Sequence, residues 1–154
     1  MQPDLSDLAE LFLRVVPQVT RVIAADIRRS GLDIEPGYIH LLRILSRGDR
    51  SLGDLAEVFT VSAPTMSKTV STLEGRGWVQ RRRSEADGRV VLVSLTPDGG
   101  DLLARAEDYM LTRIEEALSS LDGGDREALY TGLGILRDAF VNAPAGDDAP
   151  VGAG

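Results

Sequence analysis

The chain has no cysteine and a single histidine, His40, among its 154 residues. Without cysteine there is no disulfide, no thiolate metal site, no thiol redox switch and no cysteine nucleophile. One histidine cannot build a multi-histidine zinc site, and it supplies Ser-His-Asp or HExxH chemistry poorly. No apolar run approaches the length needed to cross a bilayer. Positive charge is also lacking at the N-terminus, where Asp4, Asp7 and Glu10 stand in place of the basic start of a signal peptide. These absences point to a cytoplasmic protein. No nucleophile, base and orienter come together in the sequence and no phosphate-binding glycine loop occurs, so an enzyme is the poorest reading. No metal or cofactor is expected.

What is present is an ordinary globular composition, 43% hydrophobic and 27% charged, in a length that suits one domain. The net charge of −7 argues at first against a nucleic-acid partner. Its distribution argues otherwise. Between Ser62 and Thr96 the cations Lys68, Arg76, Arg81, Arg82, Arg83 and Arg89 outnumber Glu74, Glu85 and Asp87. A basic segment in an acidic chain is the footprint expected of a DNA-facing surface.

Apolar residues at Leu5, Leu8, Phe12, Val15, Val16, Val19, Val22, Ile23 and Ile27 predict one long amphipathic helix, ended by Gly31 and kinked or broken at Pro17. A second helix is expected over roughly Glu35 to Ser46. Ser51 with Asp54 predicts a capping box for a short third helix, buried through Leu52, Leu55, Ala56 and Phe59. Ser62 caps a fourth, with Pro64 in its first turn and Met66, Val70 and Leu73 inward. Its outward residues, Ala63, Thr65, Ser67, Lys68, Ser71 and Thr72, are small and polar, a face suited to close approach to base edges. Helix, tight turn and capped helix form a helix-turn-helix pattern.

Trp78–Gln80 and Val90–Leu95 predict two strands around a basic loop with an Asp87-Gly88 turn, which makes a winged helix. Thr96-Pro97 opens another helix, buried through Leu103, Ala106, Met110, Ile114, Ala117 and Leu121. Asp122-Gly123-Gly124 breaks it, and a last helix carries Leu129, Leu133, Leu136 and Phe140. The Ala, Gly, Pro and Asp-rich end, 143–154, is expected to be disordered.

Ser51 to Gly99 resembles the MarR family of transcriptional regulators. The match rests on Leu55-Ala56-Glu57, Val61 to Ser67, Leu73 to Val79, and Asp87-Gly88-Arg89 running into Val91 to Gly99, in that order and spacing. The resemblance implies a mainly α fold. Residues 32–99 would form a winged helix-turn-helix with a two-stranded wing, and 1–31 with 100–142 a helical dimerisation region. It also implies a homodimer that binds a pseudo-palindromic operator in double-stranded DNA, commonly as a repressor. Ser62, Ala63, Pro64, Thr65, Ser67, Lys68 and Ser71 would meet DNA from the recognition helix, and Arg81, Arg83, Asp87 and Arg89 from the wing. Asp87 would pair with an arginine and orient the wing. A small anionic or aromatic effector would bind near the first, second and fifth helices, where Arg14, Arg21, His40 and Arg43 are the candidate contacts. The absence of cysteine excludes the thiol-oxidation response that some members use.

Two departures stand out. Thr60 occupies a turn position where glycine is common, and Gly88 one where members often carry a second arginine. A winged-helix protein-interaction module is the alternative, since it needs neither the polar recognition face nor Arg89. A solvated surface is the simpler reading of Arg14, Arg21 and Arg43, and a packed or surface residue that of His40.

Overall fold

Nine elements follow one another in the computed structural model, which describes residues 4–140. They are α1 (Leu5–Arg29), α2 (Pro36–Leu45), β1 (Arg50–Ser51), α3 (Leu52–Val58), α4 (Ala63–Gly75), β2 (Val79–Arg83), β3 (Val91–Leu95), α5 (Pro97–Leu118) and α6 (Gly123–Phe140). The expected disordered end, 143–154, lies outside the described residues. Among the described residues no helix is long and apolar enough to cross a membrane.

The chain divides into two compact units at Ile114/Glu115. In the first, α2, α3 and α4 gather Leu41, Leu42, Leu45, Leu55, Met66, Val70 and Leu73 into a core. Val79 of β2, Val93 of β3, Leu102, Leu103 and Ala106 of α5, and Ile27 of α1 join it. The inward stripe expected of α4 is buried as expected, because its four-three spacing keeps Met66, Val70 and Leu73 on one helix face.

The helix starts follow their caps. Asp54 donates its backbone N–H to Ser51 Oγ at 3.0 Å, while Asp54 Oδ2 accepts from Ser51 N at 3.3 Å. This is the reciprocal box that the sequence predicts. Ser62 Oγ accepts from Thr65 N at 3.3 Å.

Pro17 does not break α1, which runs unbroken from Leu5 to Arg29. A proline there forfeits a single intrahelical bond, and the turns on either side keep theirs. Most of the apolar stripe of α1 is nevertheless unburied. Leu5 is 82% exposed, Leu8, Val15, Val19 and Val22 are exposed as well, and Ile27 alone is fully buried.

The sheet has three strands, not two, in the order β1-β3-β2 and antiparallel throughout. Arg50 and Ser51 pair with Val93 and Leu92. A two-residue strand carries no alternation in sequence, so only its partner reveals it. Arg81, Arg82 and Arg83 belong to β2, opposite Val93, Leu92 and Val91, and not to the loop.

In the second unit α5 ends at Leu118, so Leu121 falls in the connection and not on the helix. Asp122 starts α6 instead of only interrupting the chain: its Oδ1 accepts from Asp125 N at 2.8 Å. Gly123 and Gly124 then lie inside the first turn. No α6 residue is fully buried, and Tyr130 and Phe140 are 83% and 70% exposed.

Candidate nucleic-acid interface

The polar face of α4 faces outward. Ala63, Pro64, Thr65, Lys68, Ser71 and Thr72 are exposed, and Ser67 and Thr69 half-buried. Ser62, also exposed, caps the helix through the 3.3 Å bond described above. Three hydroxyls donate back into the helix: Thr69 to Thr65 O at 3.2 Å, Ser71 to Ser67 O at 2.9 Å and Thr72 to Lys68 O at 3.2 Å.

The connection between α3 and α4 closes with Thr60 N donating to Glu57 O and Val61 N to Ala56 O, both at 3.0 Å. This paired pattern requires a left-handed residue just past the helix. Thr60 supplies it with φ +52°, an unusual conformation for a β-branched side chain. The glycine that is common in this turn is absent, yet the turn geometry is retained.

At the far end of α4 the chain turns into β2 through Gly77, and Arg81 ties the two elements together. Its NH1 donates to Glu74 Oε2, and its backbone N donates to Glu74 Oε1 at 3.0 Å. Its NH2 donates to Ser67 O at 2.8 Å and Ser71 Oγ at 3.0 Å. Its side chain is only 24% exposed. Arg81 is therefore a brace between wing and helix, with its charge compensated by Glu74.

Two other cations of the segment are likewise engaged. Arg82 Nε donates to Asp49 Oδ2 at 2.9 Å, tying β2 to the loop before β1. The Arg82 guanidinium holds the Asp49 carboxyl below its ordinary pKa of 3.8. The buried Ser94 hydroxyl makes no hydrogen bond of normal geometry among the described residues, but it lies beside Asp49 and acts in the same direction. Arg76 stacks 4.9 Å above the Trp78 ring and donates through NH1 to Asp33 O at 2.7 Å.

At the wing tip Arg83 NH1 donates to Gly88 O at 3.0 Å, and among the described residues no carboxylate pairs with it. Asp87 Oδ1 accepts from the backbone N of Arg89 at 3.0 Å, and Asp87 N donates to Ser84 Oγ. The resemblance implied an arginine side chain as the partner of Asp87. Its partner here is Arg89's main chain, since the short turn brings that N–H within reach of the carboxylate. The Arg89 guanidinium and the Lys68 ammonium are exposed and have no side-chain partner among the described residues.

The sequence reading missed the roles of Asp33, Asp49 and Trp78. The first two lie 43 and 33 residues from their arginines, beyond any local spacing rule.

An open cavity of about 210 Å³ lies among α1, α2 and α5 in the first unit, lined by Thr20, Ile23, Ile27, Ile39, His40, Arg43 and Met110 among others. His40 and Arg43 thus reach the expected place. Arg14 and Arg21 do not line it and are exposed on α1. The lining positions Thr20, Ile23, Ala24 and Ile27 follow one helical stripe, and Arg14 and Arg21 are out of phase with it. Arg43 Nε already donates to Glu107 Oε1 at 2.7 Å. The His40 ring meets Phe59 edge-on at 5.3 Å. Among the described residues no group of three potential metal ligands comes together.

Known proteins resemble this arrangement. The family profile described as MarR family matches residues 34–91, which span α2, the helix-turn-helix and the wing up to β3. The organic hydroperoxide resistance transcriptional regulator of Bacillus subtilis is 33% identical over 105 residues, covering 66% of this chain and 70% of that one. The HTH-type transcriptional regulator YwoH of the same organism is 36% identical over 121 residues, covering 73% of this chain and 84% of that one. Among solved structures, the transcriptional repressor CouR, bound to a 23-mer DNA duplex, superposes with a TM-score of 0.66 at 27% identity. That match covers 88% of this chain and 99% of CouR. With the helix-turn-helix, the wing and these relatives in agreement, the chain belongs to the MarR family of transcriptional regulators.

Proposed function

We propose that the chain is a homodimeric, sequence-specific DNA-binding repressor of the cytoplasm, released from a pseudo-palindromic operator by a small ligand. The observation that carries this is the brace at Arg81. It joins a helix with an exposed face of small polar residues to a wing whose tip carries the exposed guanidinium of Arg89. Ala63, Pro64, Thr65, Ser67, Lys68 and Ser71 are the groups for the major groove. Arg83 and Arg89 are those for phosphate and the minor groove. Arg81 and Asp87 support these contacts from behind, Arg81 by fixing α4 against β2 and Asp87 by shaping the turn before Arg89. The DNA held by CouR supports the same reading.

A second copy of the chain is the partner that the uncovered apolar residues call for. Leu5, Leu8, Val15 and Val19 of α1, and Leu129, Tyr130, Leu133 and Ile135 of α6, are all more than a third exposed. Scattered exposed apolar residues are normal, but runs along whole helices mark an interface. The 210 Å³ cavity is the proposed effector site, with His40 and Arg43 as its polar groups.

Selection of the full chain against a random duplex library tests the function. The expected product is an inverted repeat with half-sites about 10 base pairs apart. Its affinity should fall steeply with salt. Sedimentation should give a dimer, and truncation after Asp122 should give aggregated chain. Absence of any enriched sequence would favour the protein-interaction module instead.

A further inference from the structure

Resting on the DNA-binding reading above, the hydrogen bonds around Ser71 decide what that side chain can recognise. A serine hydroxyl has one proton to give and two lone pairs to receive with. The proton of Ser71 is committed to Ser67 O at 2.9 Å, the back-bonding position open to hydroxyls inside helices. One lone pair is taken by Arg81 NH2 at 3.0 Å, and a guanidinium can only donate. Ser71 is exposed, so the second lone pair is what it offers to a partner.

Arg81 is held in this geometry independently of Ser71. Glu74 takes its NH1 and its backbone N–H, and Ser67 O takes its NH2 at 2.8 Å. The polarity of Ser71 is thus built into the joint between α4 and β2. An acceptor-only group repels phosphate oxygens and the O6 and N7 atoms of guanine. In the major groove the donors are the exocyclic amino groups of adenine and cytosine.

We propose that Ser71 is a specificity-determining residue that accepts a hydrogen bond from adenine N6 or cytosine N4, and that Arg81 is the positioning residue that keeps it an acceptor. Ser67 differs, because among the described residues its hydroxyl proton has no acceptor, and its contact with Arg81 is longer, at 3.4 Å.

The test uses full-length protein and the duplex selected above, with single bases replaced by analogues. Purine in place of adenine removes N6, 5-methyl-2-pyrimidinone in place of cytosine removes the N4 amino group, and 7-deazaguanine removes the N7 acceptor. At one position per half-site, wild-type protein is expected to lose affinity about five- to tenfold when the amino group is removed, the worth of one hydrogen bond. Which analogue causes the loss identifies adenine or cytosine. Ser71→Ala should lack that extra loss, and its response to 7-deazaguanine should match that of wild type. Arg81→Ala, judged on protein with an unchanged circular dichroism spectrum, should shrink the amino preference at the same position. If Ser71→Ala instead removes sensitivity to 7-deazaguanine, or alters no analogue response, Ser71 is not an amino reader. An undiminished preference in Arg81→Ala removes Arg81 from the role. Failure of wild-type protein to enrich any duplex overturns the DNA-binding reading itself, and this assignment with it.

Discussion

Thr60 and Gly77 hold the same position in two copies of one helix-ending motif, the first after α3 and the second after α4. In each, the residue's N–H donates three residues back and the next N–H donates five back: Thr60 to Glu57 and Val61 to Ala56, Gly77 to Glu74 and Trp78 to Leu73. Both residues are left-handed, with φ +52° and +77°. Glycine adopts that conformation freely, whereas a side chain costs about 1–2 kcal/mol there. Thr60→Gly is therefore expected to stabilise the fold by about 1 kcal/mol, and Gly77→Ala to destabilise it by a similar amount. Urea unfolding midpoints of the two variants, moving in opposite directions, are the check. A Thr60→Gly variant less stable than the parent would mean that the threonine side chain contributes something the turn geometry does not reveal.

Gly99 is fixed by close approach and not by its φ. A Cβ built there would lie 2.1 Å from the Trp78 carbonyl oxygen, which is main chain and cannot swing aside. The same carbonyl accepts from Thr96 N at 3.1 Å, and Thr96 Oγ1 accepts from Gly99 N at 3.1 Å, so the start of α5 is seated on the turn between α4 and β2. Gly99→Ala should cost about 1–3 kcal/mol or more, as overpacking does. Thermal unfolding measures it, and an unchanged Tm would contradict the packing described.

The cations of the basic segment should separate by salt dependence. Lys68→Ala and Arg89→Ala each remove a charge that has no side-chain partner among the described residues, and should flatten the slope of log K against log salt by about 0.9 per phosphate contact. Arg76→Ala removes a cation already spent on Asp33 and Trp78, so it should lower stability and leave the slope alone. Titrations at four salt concentrations with the selected and a scrambled duplex distinguish the two classes.

Asp49 makes the strap between β2 and the loop before β1 sensitive to acid. Its folded pKa is depressed, chiefly by the Arg82 guanidinium. A depressed carboxylate contributes stability above its unfolded pKa, near 3.8, and loses that contribution as pH falls through the lower folded value. Amide exchange in β2 should therefore be slow at neutral pH once corrected for intrinsic rates, and should quicken only below about pH 4. Asp49→Asn should give the faster exchange at both pH values.

Glu107 competes for Arg43 at the 210 Å³ cavity. A carboxylate effector must displace it, whereas an uncharged aromatic compound need not. Glu107→Gln should bind salicylate more tightly than the parent, by roughly the tenfold that a charge-assisted bond is worth. Calorimetry with salicylate and with an uncharged analogue decides it: equal gains for both compounds would remove Arg43 from the recognition of charge.

Local sequence determined much of this protein. Ser51 with Asp54, Ser62 with Thr65, and the spacing of Met66, Val70 and Leu73 specify the helix-turn-helix, because caps and helical periodicity act within four residues. The order of those pieces, with the Asp87-Gly88 turn behind them, made the family legible. What the tertiary structure decided is which charges remain available. Six cations read alike in the sequence, yet Arg76, Arg81 and Arg82 are paired with Asp33, Glu74 and Asp49, while Lys68, Arg83 and Arg89 have no acidic partner among the described residues. It also decided that Arg14 and Arg21 miss the cavity that His40 and Arg43 reach, and that Arg50 and Ser51 form a strand. Each of these depends on a partner brought close only when distant elements pack, and periodicity within one element carries no information about the other.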